Sequence, residues 1–351
     1  GMQSLPQPVM LYQYGPFFRH ERPQRGRVRE LRQFGLEVLG SDRSINDAMV
    51  IRIIVVILTE SGFKNPVVEI NSIGDKECRP EYIKTLTTYY RKHINTICAN
   101  CRQRIKSNPL RVLDCKDINC QTIKENAPDS ISTLCTQCRQ HFKEVLEYLE
   151  TLNVHYRINN HLVRGLDYYT KTVFEIFNED EDVDVEGGEK KHLTDNQSNS
   201  DDDKKNKVAP LAIASGGRYD RLARNLGSKR DVSSVGGSIG VDRVLALPQY
   251  KSFDPRVVKK PKAYFIQIGF EAKLKSLDII EVLRKAKVPI MHSISKDSLS
   301  GQLSIAERLD IPLTIIFGQK EALDNTVIVR DMKTRSQEIV KIEDLPDYLK
   351  K

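Results

Sequence analysis

Residues 19–40 read RHERPQRGRVRELRQFGLEVLG. Ahead of them stands an apolar run, VMLYQY (9–14), and the stretch closes on another, LRQFGLEVLG (31–40). Two apolar runs around a basic tip predict two strands joined by a long Arg-rich turn, punctuated by Pro23 and Gly26. Within the tip, five of the nine residues from Arg19 to Arg27 are Arg or Glu. Guanidinium forks match phosphate oxygens in bidentate geometry, so such a hairpin suits a nucleotide or a nucleic-acid backbone. A solvated charged turn has the same composition, and charge alone leaves both readings open.

Outward from this hairpin, Asp42 or Ser44 is placed to cap a helix through Asn46–Glu60, whose apolar positions recur at helical spacing. A strand is expected at Val67–Ile70, and residues 78–150 read as a helix-rich insert. Strand patterning resumes over Tyr156–Phe177, Pro210–Ser215 and Val235–Ser238, and Val241–Leu247 begins a helix. Between them, residues 178–207 are acidic, Ser/Asn-rich and without an apolar face, the signature of a disordered loop. Residues 248–261, with three prolines, suit a linker. From Lys262, strands (AYFIQIG, LTIIFG, NTVIVRD) alternate with helices (LKSLDIIEVLRKA, SLSGQLSIAERLD), indicating a small α/β unit with a largely parallel or mixed sheet. The expected organisation is therefore 1–247 with its insert, a linker, and 262–351.

At 351 residues the chain is long enough for two apolar cores. The longest apolar run, IRIIVVIL (51–58), is interrupted by Arg52 and far too short to cross a bilayer. No signal-peptide pattern opens the sequence, so a cytoplasmic protein is expected. The net charge of +8 includes an acidic run, Glu179 to Asp203, so the remaining surface is more basic still. Such a surface attracts polyanions without specifying one.

Of the seven cysteines, Cys78 stands apart, while Cys98, Cys101, Cys115, Cys120, Cys135 and Cys138 fall in one stretch. In a cytosolic enzyme, metal binding or plain thiols are the natural readings. The two CxxC pairs, Cys98/Cys101 and Cys135/Cys138, have zinc-knuckle spacing and could close one tetrahedral structural Zn2+ site. With 33 residues between the pairs, reduced thiols in a helical insert stay open as the alternative.

Three further polar motifs follow. LVRGLDYYT (162–170) combines a cation, an anion and two phenols, enough to orient a polar small molecule, although a Tyr-rich strand with a local Arg–Asp pair reads the same way. ASGGRYD (214–220) and GGSIGVDR (236–243) are Gly-rich, and paired glycines let backbone approach a ligand closely or simply turn. Each alone is weak. In this order the set is specific: RHERPQRGRVRELRQFGLEVLG resembles motif 2 of class II aminoacyl-tRNA synthetases in its histidyl form. LVRGLDYYT and SGGRYD resemble the two histidine motifs of the histidyl-tRNA synthetase family, and GGSIGVDRVL resembles class II motif 3. NPLRVLDCK, APDSISTLC and SQEIV are similar to that family too, and the acidic loop is the main stretch without a match.

The resemblance implies an α+β class II catalytic core, an antiparallel sheet flanked by helices, followed by an α/β anticodon-binding domain. It implies activation of L-histidine by ATP with Mg2+ and transfer to tRNA(His), by a homodimer. By resemblance, Arg19 and Arg164 hold the α-phosphate, Arg243 the γ-phosphate end, and Glu21 the adenine edge. Arg27 belongs to the ATP site, while Arg22 and Gln24 face the tRNA acceptor end. Gln33, Glu37, Arg164, Tyr168, Tyr169 and Tyr219 line the histidine pocket, with Gly216 and Gly217 giving it room. Arg164 would do work that a metal ion does in related enzymes.

Two departures stand out. The family carries roughly a hundred residues before the text with which this chain begins, including motif 1 and a histidine-binding strand, so the chain as written is expected to be impaired. Asp242 stands where the family often has Glu. Two non-catalytic readings compete: the regulatory subunit of ATP phosphoribosyltransferase, and a tRNA-sensing domain. The intact LVRGLDYYT and the following α/β unit argue against the first; the intact arginines argue against the second for the parent protein, while the missing front end keeps it open for the chain as written.

Overall fold

The hairpin that opens the chain consists of two ten-residue strands, β1 (Val9–Phe18) and β2 (Glu30–Leu39). They run antiparallel with Val9 opposite Leu39 and Phe18 opposite Glu30. The computed structural model describes residues 2, 5–20, 28–165, 167–179, 211–251, 260–293 and 297–350. Glu21, Arg22, Gln24 and Arg27 of the hairpin tip, the acidic stretch from 180 to 207 and most of the expected linker lie outside these.

Helix α1 (Ser44–Glu60) follows and is buried along most of its length, from Ser44 through Ile51 and at Ile54, Val55 and Leu58. Its cap differs from expectation. Arg43 occupies the N-cap without a side-chain bond, because the Ser44 hydroxyl is drawn to Glu144 on a later helix. Thr59 and Ser61 bond back to carbonyls four residues earlier, and Gly62, at φ +105°, turns the chain into β3 (Pro66–Ser72).

Next come α2 (Arg79–Lys92), α3 (Ala99–Ser107), α4 (Ile118–Lys124) and α5 (Thr136–Thr151). Strands β4 (Tyr156–Ile158), β5 (Thr170–Asn178) and β6 (Ala214–Arg218), the short α6 (Leu222–Asn225), β7 (Ser234–Gly240) and α7 (Val241–Ala246) complete this half. Among the described residues, its seven strands form one sheet in the order β1-β2-β7-β6-β5-β3-β4. Every pairing is antiparallel except β3 with β4.

The helical stretch 78–150 divides by its packing. Helices α2 to α4 gather around Tyr82, Leu86, Tyr90, Ile105 and Leu113 in a separate apolar cluster. Helix α5 instead places Phe142, Val145 and Leu149 in the core shared by α1 and the sheet. Its 16 residues therefore belong with the sheet's own helices.

The rest of the chain is β8 (Ala263–Gln267), α8 (Phe270–Lys285), β9 (Ile290–His292), α9 (Leu299–Arg308), β10 (Leu313–Phe317), α10 (Gln319–Asp324), β11 (Thr326–Asp331), β12 (Gln337–Lys341) and α11 (Leu345–Lys350). The sheet order is β12-β11-β10-β8-β9, parallel from β10 to β9 and antiparallel beyond it. Leu277 of α8 is buried against the α1/α5 core, and Arg52–Glu281 (3.1 Å) bridges the two halves. No helix among the described residues is long and apolar enough to cross a membrane.

The sheet and α1 meet closely because β7 carries Gly237 on the face that α1 covers. A Cβ at Gly237 would lie 2.7 Å from Ile54 Cδ1. Truncating Ile54 itself opens a cavity at a fully buried position, so Ile54→Ala is expected to destabilise the fold by about 2–5 kcal/mol. Urea denaturation measures this directly, and an unchanged midpoint would contradict the packing.

Candidate active site

Strand β2 faces β7 with Gln33 opposite Gly240 and Glu37 opposite Gly236. A Cβ at Gly236 would stand only 1.7 Å from Glu37 Oε2, so the carboxylate lies over bare backbone. Gly216 of β6 pairs with Gly237, and Gly217 with Gly236. A Cβ at Gly217 would come within 2.9 Å of the Tyr169 ring. Gly236 and Gly217 thus form a floor on which Glu37 and Tyr169 converge, while Gly216 and Gly237 turn toward Phe174 and Ile54 on the core face of the sheet.

Above that floor the Tyr219 hydroxyl donates to Glu37 Oε2. Burial pushes the Glu37 carboxyl above its ordinary value, and the hydrogen bond from Tyr219 only partly offsets this. Burial and the neighbouring Glu37 push the Tyr219 phenol up as well. Tyr168 packs edge-on to Tyr219 at 6.0 Å and against Tyr169 at 4.7 Å. Burial first, then Tyr169, pushes the Tyr168 phenol up, and both Arg164 and Glu37 lie close enough to influence it. The structure thus brings together Glu37, Tyr168, Tyr169, Tyr219, Gly216 and Gly217.

Arg164 is half-buried and its Nη1 donates to Glu175 on β5. Burial raises the Glu175 carboxyl and the guanidinium beside it opposes that. Arg243, on α7, donates to the Ala212 carbonyl. Four residue steps along β7, from Gly236 to Gly240, separate the Glu37 register from the Gln33 end near α7, about 13 Å of strand. Gln33 is half-buried at that end, and Arg19 is exposed at the hairpin's far end, its amide bonded to the Arg29 carbonyl at 2.7 Å. Asp242 accepts from the Arg32 amide at 2.5 Å. Glu21, Arg22, Gln24 and Arg27 lie outside the described residues.

The single zinc site expected from Cys98, Cys101, Cys135 and Cys138 is not formed. Cys98 and Cys101 group with Cys115 and Cys120, whereas Cys135 and Cys138 group with Asp75 and Cys78. A CxxC pair is a local unit at a helix start, and the tertiary fold decides which partners complete it. Here α3 belongs to the satellite cluster and α5 to the main core, which separates the two pairs.

Several residues that hold the site have no role in the sequence reading. Arg218, the arginine of SGGRYD, is fully buried and clamps Asp47 of α1 through Nε (3.1 Å) and Nη2. It also bonds the carbonyls of Ser41 and Arg43 (3.0 and 3.1 Å) and Asp220 (3.1 Å). His141 of α5 lies 3.3 Å from the same Asp47. Burial alone would push the Asp47 carboxyl up, but Arg218 and His141 beside it hold it well below 3.8. The one signal was an Asp amid the apolar residues of α1.

Asn108 donates to Asp167, Arg111 to the Gly165 carbonyl (2.8 Å), and Arg79 to the Tyr169 carbonyl (2.6 Å). The NPLRV turn therefore grips LVRGLDYYT from the helical side. A cavity of about 470 Å³ opens between them, lined by Arg79, Asn108, Arg164, Asp167 and Tyr169 among others.

An antiparallel sheet with flanking helices, followed by a mixed-sheet unit, is the fold of a class II aminoacyl-tRNA synthetase with a C-terminal anticodon-binding domain. The family model described as "Histidyl-tRNA synthetase" matches residues 2–195, and one described as "Anticodon binding domain" matches 262–351. The histidine–tRNA ligase of Desulforamulus reducens is 34% identical over 349 residues, 99% of this chain and 77% of the relative. That of Caldicellulosiruptor saccharolyticus is 36% identical over 350 residues, 100% of this chain and 77% of the relative. The crystal structure of apo S. aureus histidyl-tRNA synthetase aligns with TM-score 0.51 at 26% identity, covering 100% of this chain and 79% of that one. The chain belongs to the histidyl-tRNA synthetase family.

Removing one partner of a buried ion pair strands the other charge. Arg218→Met is therefore expected to cost about 3–5 kcal/mol, and adding Asp47→Leu to recover most of the loss. Urea denaturation of the single and double variants tests this, and a double variant no better than the single one would contradict it. Because the folded Asp47 carboxyl sits below 3.8, its stabilisation is present above that pH and is lost as pH falls beneath it. The Asp47→Asn protein should show a shallower loss of unfolding free energy on acidification through that range.

Proposed function

We propose that the natural protein is a cytoplasmic, homodimeric histidine–tRNA ligase, which activates L-histidine with ATP and transfers it to tRNA(His). The observation that carries the reading is the Glu37–Tyr219 pair on its glycine floor, flanked by Tyr168. A carboxylate and phenols side by side offer an acceptor and, once the Tyr219–Glu37 bond is exchanged for the ligand, a donor to the two imidazole nitrogens. A site built of such groups rejects analogues that leave them unpaired. The raised carboxyl of Glu37 gains most from a cationic or N–H-bearing ligand that returns the hydration it has lost.

In the first reaction the histidine carboxylate oxygen attacks the α-phosphorus of ATP, the bond to the bridging oxygen breaks, and pyrophosphate leaves. Negative charge gathers on the phosphoryl oxygens in the transition state, so fixed cations are the expected catalytic devices. Arg164, held by Glu175, and Arg19 take the α-phosphate. Arg243, on α7 just beyond the Gly240 end of β7, takes the γ-phosphate end. Glu21 and Arg27 contact the nucleotide, Arg22 and Gln24 the acceptor end, and Gln33 completes the amino-acid pocket. The carboxylate nearest Arg164 is already paired with it, so Mg2+ enters this scheme as part of the ATP complex.

In the second reaction the terminal ribose hydroxyl of the tRNA attacks the acyl carbon and AMP leaves. By this reading 1–247 performs the chemistry, 248–261 links, and 262–351 meets the anticodon.

Histidine-dependent exchange of pyrophosphate into ATP by the natural protein tests the reading. Arg164→Ala should lower the exchange kcat by about 10²–10³-fold. Glu37→Gln should raise the histidine KM by roughly 10–100-fold, the loss of one hydrogen bond to a charged group. A natural protein that binds tRNA but exchanges no pyrophosphate would be a non-catalytic sensor instead.

A further inference from the structure

The seven cysteines of the chain do not scatter through the fold. Four of them, Cys98, Cys101, Cys115 and Cys120, bring their sulfurs within 4.8 Å of one another. The other three, Cys78, Cys135 and Cys138, do the same together with a carboxylate oxygen of Asp75. Every cysteine thus belongs to one of two four-ligand groups. Cys78, isolated in the sequence, completes the second.

Each group has the form of a tetrahedral soft-metal site. Zinc–sulfur bonds of about 2.3 Å at the tetrahedral angle set neighbouring sulfurs about 3.8 Å apart. Cys98 and Cys115 are separated by 3.8 Å, well beyond a disulfide. The Cys98 amide donates to the Cys120 sulfur at 3.3 Å, a bond that favours a thiolate there. In the second group, the Asp75 amide donates to Cys78 Sγ at 3.4 Å, and that sulfur lies 3.6 Å from Asp75 Oδ1.

The two groups also share a construction. Cys98 caps α3 with φ −64° and ψ 159°, and Cys135 caps α5 with φ −64° and ψ 163°. Cys101 and Cys138 are then the third residues of their helices, both fully buried. The same backbone shape appears twice and presents a pair of sulfurs each time.

We propose that the protein binds two structural zinc ions, one through Cys98, Cys101, Cys115 and Cys120, the other through Asp75, Cys78, Cys135 and Cys138. The first site ties α3 and α4 to the residue that ends the turn carrying Asn108 and Arg111. The second ties the loop after β3, next to Arg79, to α5. Asn108, Arg111 and Arg79 are the groups that hold the 165–169 segment. The two ions brace that segment from two sides. Binding needs no redox partner: zinc displaces the thiol protons and the thiolates and carboxylate coordinate it.

Metal analysis of protein purified without chelator should give two zinc equivalents per chain. Cys115→Ser/Cys120→Ser should lose one of them and Cys135→Ser/Cys138→Ser the other. Cobalt added to metal-stripped, reduced wild-type protein needs no variant. It should saturate at two equivalents, with thiolate-to-cobalt charge transfer and tetrahedral visible bands from both sites, those of the Asp-containing site at shorter wavelength. Zinc removal should also lower the melting temperature. One equivalent or none overturns the proposal, as does retention of full metal by Cys115→Ser/Cys120→Ser. Recovery of the cysteines as disulfides under reducing purification would overturn it too.

Discussion

Arg218 carries a guanidinium into a position with no exposure to solvent, where Asp47 of α1, Asp220 and two main-chain carbonyls receive it. Taking two opposite charges out of water costs several kcal/mol per ion unless the geometry is close and the remaining donors are satisfied. Here the fork meets both carboxylate oxygens and its remaining N–H groups reach two carbonyls and Asp220, so the penalty is largely returned. The position of the pair matters beyond its energy. It links the end of β6 to α1, and through His141 to α5. Tyr219 is the next residue, so the phenol that meets Glu37 inherits its place from that anchor.

A second set of bonds holds the opposite wall. Asn108, Arg111 and Arg79 each reach the backbone or side chains of residues 165–169 from the helical module. The module has an apolar cluster of its own, yet that cluster includes Leu162, Val163, Tyr169 and Val173. The Tyr-bearing segment is therefore as much a part of the module as of the sheet. A change in the module's packing reaches the site through a few hydrogen bonds and one shared cluster, and no rearrangement of the sheet is needed.

Much of this was legible in the sequence because it is local. The two strands around 19–40, the apolar helix after Ser44, and the alternation beyond Lys262 each declare themselves by periodicity, and the motif residues on β2, β6 and β7 follow from short strings. What was not legible depends on distant partners. The capping of α1 went to Arg43 because Ser44 turns to Glu144, a hundred residues away. Arg218 and Asp47 are 171 positions apart, and no spacing rule joins them. The cysteines show the limit most plainly, since each CxxC pair is visible in the sequence while its partners are not. The packing of α5 in the main core was hidden for a related reason, because an amphipathic helix does not state which core it serves.

The glycine floor has a consequence for how this chain can vary over time. Any missense change in a glycine codon supplies a larger residue, and at Gly217 and Gly236 even the smallest added carbon would meet an atom within 2.6 and 1.7 Å. The space above the floor is thus defined by hydrogen atoms and cannot be retuned by gradual exchange of floor side chains. Drift in ligand preference has to come from the walls, at the tyrosines and the carboxylate, while the floor is inherited unchanged or the strands separate.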